Sequence, residues 1–412
     1  MASSSWGSLS LLQFLVCLLY PVFYPGRFSQ CNRGIVNAFG TYQAFYETSL
    51  LQSHNSSQIS WIGTIQGFLL FGFTIVCGPI FDRGYYRSLL IVGTFLSVFG
   101  MMMTSIATQY YQIFLAQGLC VGLGGACLFL PSVAIVATYF TTKRAYASGL
   151  VVAGGSTGSV LYPIIFRRLQ PQIGFPWATR VIAFIMLGTL IISIALMRTR
   201  VSPGKEVRAM LDLGAFRSIP YLLFNIGLFL SFIGLYIPIF YIVIYAQRSA
   251  NVDIDMSFYL LSILNAASAV GRIIPAILAD KCGSLEMMVV CIFCAAIFAY
   301  AWIAIHTLAG LTVFAIIYGF FAGAAVAMPV SIIAGLVPDM RLLGTWMGMT
   351  FFCSGTGLLI GAPIAGAVIN IADNRFSGGF VFAGSLLVAG GMMLVAVKVA
   401  KSREKRKING VS

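Results

Sequence analysis

The chain has 412 residues, of which 59% are hydrophobic and only 9% are charged, whereas a soluble domain is about one quarter charged. No water-soluble fold of this length could bury so much apolar surface, so the composition indicates an integral membrane protein. The formal net charge of +14 does not indicate a nucleic-acid partner, because the cations lie at the ends of apolar runs and not on a solvated face.

Apolar runs long enough to cross a bilayer, about 20 residues each, follow one another along the chain. They predict spans at residues 59–80, 88–106, 112–140, 145–166, 177–197, 219–246, 257–279, 285–306, 309–337, 342–369 and 379–399. Before them, a short apolar run near residues 11–24 is interrupted by a proline and two arginines, and the apolar pattern resumes at Gly34. We interpret this region as one broken helix, which makes twelve spans. A cleaved signal peptide, which would need a cation before Arg27, and a misassigned first exon are the alternatives.

The lysines and arginines predict the orientation of these spans. If the N-terminus is cytoplasmic, most of the 25 cations fall in cytoplasmic loops and in the tail, as the positive-inside rule requires. We therefore predict a multi-pass protein, most simply of the plasma membrane, with both termini cytoplasmic and membrane lipid around it. The sequon at Asn55 then lies outside, where a glycan could be attached.

Landmarks of the first half recur in the second half at a nearly constant offset. Asp82 and Asp280 are 198 residues apart, and Gly149 and Gly348 are 199 apart. Because chance would not keep such residues in register, we predict two six-helix pseudo-repeats, an arrangement that recurs among transporters. The predicted parts are an atypical N-terminal segment with a short apolar run (1–33), an N-terminal six-helix half (34–197), a cytoplasmic linker (198–218), a C-terminal six-helix half (219–399) and a basic cytoplasmic tail (400–412).

The stretch GPIFDRGYYR follows the predicted second span and resembles the G-x-x-x-D-R-x-x-x-R loop signature of the major facilitator superfamily. All positions of that signature are present, at Gly78, Asp82, Arg83 and Arg87, and the second half repeats the charged pair at Asp280 and Lys281. We interpret these residues as a gating motif, because a carboxylate at a helix end can pair with a cation or with a neighbouring helix N-terminus in one state and release it in another. The alternative is an ordinary positively charged loop.

Longer segments are similar to the fungal branch of the monocarboxylate porter family. They include ISWIGTIQ (59–66), FLAQGLCVGLGGACLFLP (114–131), GFPWATRVIAF (174–184) and NAASAVGRIIPAILADKCG (265–283). The resemblance runs from about Gly34 to Lys398 and implies an all-α membrane protein with twelve transmembrane helices in the major facilitator fold. It also implies a gradient-driven secondary transporter of small organic monoanions, with neither a cofactor nor a metal.

A charge within a span is costly and therefore a candidate for function. Arg272 lies in the middle of the predicted eighth span and matches the family arginine that meets the substrate carboxylate, a role suited to a bidentate donor. The alternative is a structural cation bonded to carbonyls that Pro275 leaves free. Polar span residues that could complete a substrate site are Asn37, Gln43, Gln66, Tyr236, Tyr241, Asn265 and Ser268.

Two further functions remain open beside monoanion transport. Animal members of the family carry an aspartate four residues before the arginine, where this chain has Ser268, so a proton as co-transported partner is in doubt. Together with the aromatic stretch FIGLYIPIFYIVIY (232–245), this absence suggests an exporter of a fungal secondary metabolite. A non-transporting membrane sensor is the second alternative. An enzyme is not expected, because no metal cluster or nucleophile–base set is apparent.

Overall fold

The computed structural model of the protein describes residues 34–36, 38–139, 144–196, 211–369 and 376–408. Every regular element within these ranges is a helix. The first seven are α1 (Phe39–Phe45), α2 (Ser56–Gly72), α3 (Thr74–Asp82), α4 (Tyr86–Ile106), α5 (Tyr110–Ile113), α6 (Gly122–Tyr139) and α7 (Arg144–Leu196). The others are α8 (Ile219–Leu235), α9 (Ile237–Ser249), α10 (Ile254–Cys282), α11 (Ser284–Ala301), α12 (Leu308–Ala327), α13 (Pro329–Ala334), α14 (Leu343–Val368) and α15 (Ser377–Ile408).

Ten segments of the described chain are long and apolar enough to cross a membrane. One of them, Ala145–Ala195, has 51 residues and would measure about 77 Å as a straight helix, more than twice the hydrocarbon thickness of about 30 Å. Gly174 divides it, with φ 77° and ψ 166°, so α7 contains two crossings. These are the spans predicted at 145–166 and 177–197. The residues between these two predicted spans are helical on both sides of Gly174, at which the two crossings are connected.

The first predicted span is only partly described. Residues 1–33 lie outside the described residues, so the proposed broken helix is visible only as α1 and the π-helical segment Tyr46–Leu50 that continues it.

Prolines divide two of the crossing segments into shorter helices. Pro238 is in the first turn of α9 and Pro329 in the first turn of α13. Because proline has no N–H and fixes φ, it is tolerated at the start of a helix but interrupts a continuous one. The helices of these segments are therefore interrupted at Tyr236 and at Met328.

The two parts of the chain that flank the linker pack against each other through four buried phenylalanines. The ring centroid of Phe71 in α2 lies 5.7 Å from that of Phe232 and 6.0 Å from that of Phe351. The ring centroid of Phe129 lies 5.1 Å from that of Phe351. Each of the four side chains is at most 3% exposed. The hydrophobic core is thus continuous between α2, α6, α8 and α14.

Candidate functional site

Asp82, at the C-terminus of α3, caps the N-terminus of α14. Its carboxylate accepts hydrogen bonds from the backbone N–H groups of Gly344 (2.9 Å) and Thr345 (2.7 Å) and from the Thr345 hydroxyl (2.7 Å). The first N–H groups of a helix have no partner within the helix, and the helix dipole favours a negative charge beside them. Asp82 therefore joins the N-terminal half to the C-terminal half.

Asp280 makes the corresponding contact in the opposite direction. It lies in the last turn of α10, and its two carboxylate oxygens accept hydrogen bonds from the N–H groups of Ala145 (2.9 Å) and Tyr146 (3.0 Å) in the first turn of α7. We call the end of the bundle at which Asp82 and Asp280 lie the motif end. Two carboxylates thus join the halves there.

Glycines let the helices approach each other beside both caps. A Cβ on Gly348 of α14 would lie 2.5 Å from the carbonyl oxygen of Thr74, and a Cβ on Gly149 of α7 would collide with the carbonyl oxygen of Arg272. Gly78 likewise faces the backbone of Gly344. Gly78 therefore serves helix packing, while the loops after the caps turn at Gly84 and Gly283, whose φ angles are 87° and 103°, a region that favours glycine.

Arg272 also contacts the opposite half. Its guanidinium Nη1 donates a 2.7 Å hydrogen bond to the carbonyl oxygen of Val152 in α7, and the side chain is 5% exposed. The buried Nε has no hydrogen-bond partner in the described part of the chain, and Tyr236 lies within electrostatic range of the guanidinium. The carbonyl that accepts this hydrogen bond therefore belongs to another helix, α7. It is not one of the carbonyls of α10 that Pro275 leaves without a backbone donor.

The equivalent position of the other interface carries Thr74. Its hydroxyl lies 3.3 Å from the carbonyl oxygen of Gly348 and also contacts the Phe71 carbonyl of its own segment. The α3–α14 and α7–α10 interfaces are therefore built alike, with a capping aspartate, a glycine at the closest approach and a side-chain donor to a carbonyl of the facing helix.

The structure groups only some of the predicted substrate residues around Arg272. Asn265 and Ser268, 4% and 5% exposed, precede it by seven and four residues in α10 and so share its face. Tyr236 lies at the break between α8 and α9. Asn37 lies outside the described residues.

The remaining predicted polar residues lie on other helices than Arg272, namely α2, α1 and α9. Gln66 is fully buried, packs against Gly122 of α6, and neither of its amide atoms has a hydrogen-bond partner among the described residues. Gln43 is half-buried in α1. The hydroxyl of Tyr241 faces Gly366 of α14, within the C-terminal half.

The other predicted residues are at the surface. Arg83, Arg87 and Lys281 are exposed at the motif end, where Arg87 donates a 3.1 Å hydrogen bond to the Tyr86 hydroxyl. Asn55 is exposed and begins α2, and its backbone N–H donates to the Gln58 side chain at 3.3 Å. Among the described side chains, no group of three or more His, Cys, Asp or Glu could hold a metal ion.

The sequence-based interpretation missed the partners of the caps. Gly344, Thr345, Thr74 and Val152 are absent from the predicted site, although Gly149 and Gly348 had been recognised as duplicated landmarks. The offset of 198 residues that relates Asp82 to Asp280 also relates Thr74 to Arg272, and this relation was the available signal.

The family model of the Major Facilitator Superfamily matches residues 34–297 and 260–411. The chain belongs to this superfamily. Relatives of the chain are also named as transporters. MFS-type transporter dbaD of Emericella nidulans is 43% identical to it over 366 residues, which cover 88% of this chain and 82% of the relative. The aspyridones efflux protein apdF of the same organism is 36% identical, with coverages of 90% and 75%, and the fujikurins efflux protein of Gibberella fujikuroi is 36% identical, with coverages of 92% and 82%.

Solved structures show the same fold at low sequence identity. The human organic anion transporter MFSD10 (TETRAN) superposes with a TM-score of 0.71 at 15% identity, covering 90% of this chain and 97% of the other. FucP in its outward conformation gives 0.66 at 12% identity, with the same coverages. The predicted all-α major facilitator fold is therefore confirmed.

The narrower family assignment needs a correction. As a member of this superfamily, the protein is an integral multi-pass membrane protein, as predicted. The relatives reported above are MFS-type transporters and efflux proteins of fungi, and not monocarboxylate porters specifically. A monocarboxylate substrate is therefore unsupported.

Proposed function

We propose that this major facilitator transporter exports an organic product of fungal secondary metabolism by alternating access. The observation that carries the proposal is the relationship, at 36% identity over most of the chain, to two proteins named for efflux. The relatives do not name the cargo of this chain, so the proposal concerns the class of cargo and the direction of transport.

The contacts between the halves support a rocking mechanism. The Asp82 and Asp280 caps and the Arg272–Val152 hydrogen bond all join one half to the other, so the motif end can open only if these bonds break. We place the motif end on the cytoplasmic side of the plasma membrane, with the sequon at Asn55 outside. In the reported state the cytoplasmic side would then be closed, and cargo would enter after the caps release.

Arg272 is our candidate for the cargo contact. It is a buried cation in a crossing helix, and a carboxylate or another acidic oxygen would satisfy the donors that Val152 leaves unpaired. Asn265 and Ser268 share its helix face and would bind neighbouring polar atoms of the cargo. A proton is not assigned a role, and the pH dependence of export would reveal one.

Deletion of the gene in the organism that carries it tests the export function. We expect mass spectrometry of culture medium and cells to reveal at least one metabolite that the deletion strain retains inside and that the restored wild-type gene returns to the medium. The Arg272→Met gene should fail to restore it at equal protein abundance. Uptake of labelled lactate and pyruvate at pH 5 and pH 7, in yeast lacking its own porters, tests the monocarboxylate alternative; uptake there with an unchanged metabolite distribution would overturn the proposal.

A further inference from the structure

The carbonyl oxygen of Val152 lies within reach of two competing donors. Arg272 of α10 occupies it at 2.7 Å. One helical turn further along α7 is Ser156, whose hydroxyl is fully buried and has no hydrogen-bond partner among the described residues. Residues four apart share a helix face, so the Ser156 hydroxyl is adjacent to the carbonyl that Arg272 holds.

A buried serine in a helix ordinarily donates to the carbonyl four residues earlier. Ser193 does so to Thr189 at 2.7 Å, Ser231 to Gly227 at 2.7 Å and Ser354 to Thr350 at 3.0 Å. For Ser156 that acceptor is Val152. The buried hydroxyls of Ser148 and Ser331 also lack a partner among the described residues, but the acceptor that Ser156 would ordinarily use is one that a guanidinium from the opposite half already binds.

We propose that the Val152 carbonyl exchanges donors when the motif end opens. Arg272 donates to it in the closed state, and Ser156 donates to it in the open state. As a carbonyl within α7, that of Val152 accepts the backbone N–H of Ser156 in both states, so the exchange concerns its second lone pair. It supplies a donor there when α10 moves away from α7, and it satisfies the hydroxyl that the closed state leaves unpaired. Ser156 is thus a positioning residue that lowers the free energy of the open state.

The exchange is specific to one of the two interfaces. At the α3–α14 interface the acceptor of the Thr74 hydroxyl is the carbonyl of Gly348, and the residue four positions later in α14 is Phe352. Phenylalanine has no hydroxyl with which to replace that of Thr74. The α7–α10 interface is consequently the one at which breaking the contact is compensated, and there the release sets a guanidinium free.

The released guanidinium of Arg272 could bind an acidic cargo, and this step alone rests on the proposed export function. A charged acceptor on the cargo forms hydrogen bonds roughly twice as strong as a neutral carbonyl does. An acidic cargo would therefore hold Arg272 in the released position while Ser156 holds Val152. The donor exchange itself requires no cargo, so it can be tested separately from export.

The test measures how often the motif end opens in the purified full-length protein in nanodiscs. Ser331 of α13 is 8% exposed, and α13 packs against α6 and α7 of the opposite half. With the native cysteines replaced by alanine, Ser331→Cys supplies a single thiol for a maleimide. If reclosing is fast relative to alkylation, the alkylation rate tracks the open population even when that population is small.

We expect Ser156→Ala to slow alkylation by about two- to tenfold, because the open state alone loses one intramolecular hydrogen bond and such a bond changes an equilibrium by about this factor. Ser193→Ala is the matched control, because the Ser193 hydroxyl is 5% exposed in the same helix and is already bonded to its own turn, so its rate should equal that of the parent. In an Arg272→Met background, Ser156 can bond to Val152 in both states, so Ser156→Ala should then leave the rate unchanged.

An unchanged rate in Ser156→Ala would overturn the proposal, and so would equal slowing in the parent and Arg272→Met backgrounds. If Arg272→Met does not fold, the comparison of Ser156→Ala with Ser193→Ala decides alone. If the alkylation rates are as expected but the protein exports no metabolite, the cargo step is contradicted and the donor exchange is not. If the protein exports a metabolite but Ser156→Ala does not slow alkylation, the donor exchange is contradicted and the export function stands.

Discussion

Removing the two capping aspartates should open the motif end to different degrees. Among the described residues, Asp82→Ala removes three hydrogen bonds that join the halves, whereas Asp280→Ala removes two. A hydrogen bond to a charged group contributes about 1.5–3 kcal/mol, so the difference of one bond corresponds to at least about 1.5 kcal/mol. Because about 1.4 kcal/mol is a factor of ten in an equilibrium constant, Asp82→Ala should open the motif end about tenfold more than Asp280→Ala.

Alkylation of the Ser331→Cys protein in nanodiscs measures this difference. Both variants should react faster than the parent, with Asp82→Ala the faster of the two. Glu286→Gln is the control, since Glu286 forms an exposed ion pair with Lys398 at 3.3 Å inside one half, and such pairs contribute little. Equal rates for the two aspartate variants, or rates equal to that of Glu286→Gln, would refute the reading of the aspartates as unequal caps.

Three further predictions concern glycines and the sequon. Gly348→Val and Gly149→Val should each speed alkylation of the Ser331→Cys reporter, because a side chain there would strike backbone of the facing helix; Gly188→Ala should not, since nothing lies within 4 Å of the added Cβ. Gly174→Ala should lower the melting temperature in detergent, because its φ of 77° and ψ of 166° lie in a region essentially restricted to glycine, which costs an L-residue about 1–3 kcal/mol; a melting temperature matching that of Gly188→Ala would contradict this. Asn55→Gln should abolish the mobility shift that a glycosidase produces in the wild type; a shift that persists would place the glycan elsewhere.

Much of the fold was accessible from the sequence because the bilayer imposes a simple rule. A crossing helix must be apolar over about 20 residues, so the span positions follow from composition. The turn within α7 was harder to predict, because Pro171 and Pro176 indicate a loop while only Gly174 leaves helical geometry. Proline is tolerated in the first turn of a helix, so Pro176 fits the helix that begins after Gly174.

The candidate site was less accessible, because its contacts join residues far apart in the chain. The motif predicted that Asp82 would meet a cation or a helix N-terminus, and the contact is with the N-terminus of α14. The sequence could not identify which helix, since Asp82 and Gly344 are 262 positions apart. Arg272 was predicted as a buried cation, but its backbone partner Val152 has no side-chain signature that a sequence could reveal.

Transport in a defined membrane tests the export account most directly. Inside-out plasma-membrane vesicles would be supplied with the metabolite that the deletion strain retains, and its accumulation would be followed over time. The account predicts accumulation by the wild type above that of vesicles lacking the protein, with loss in Arg272→Met and a changed rate in the Asp82→Ala/Asp280→Ala double variant. Equal accumulation with and without the protein, while the protein is present in the vesicles, would contradict it.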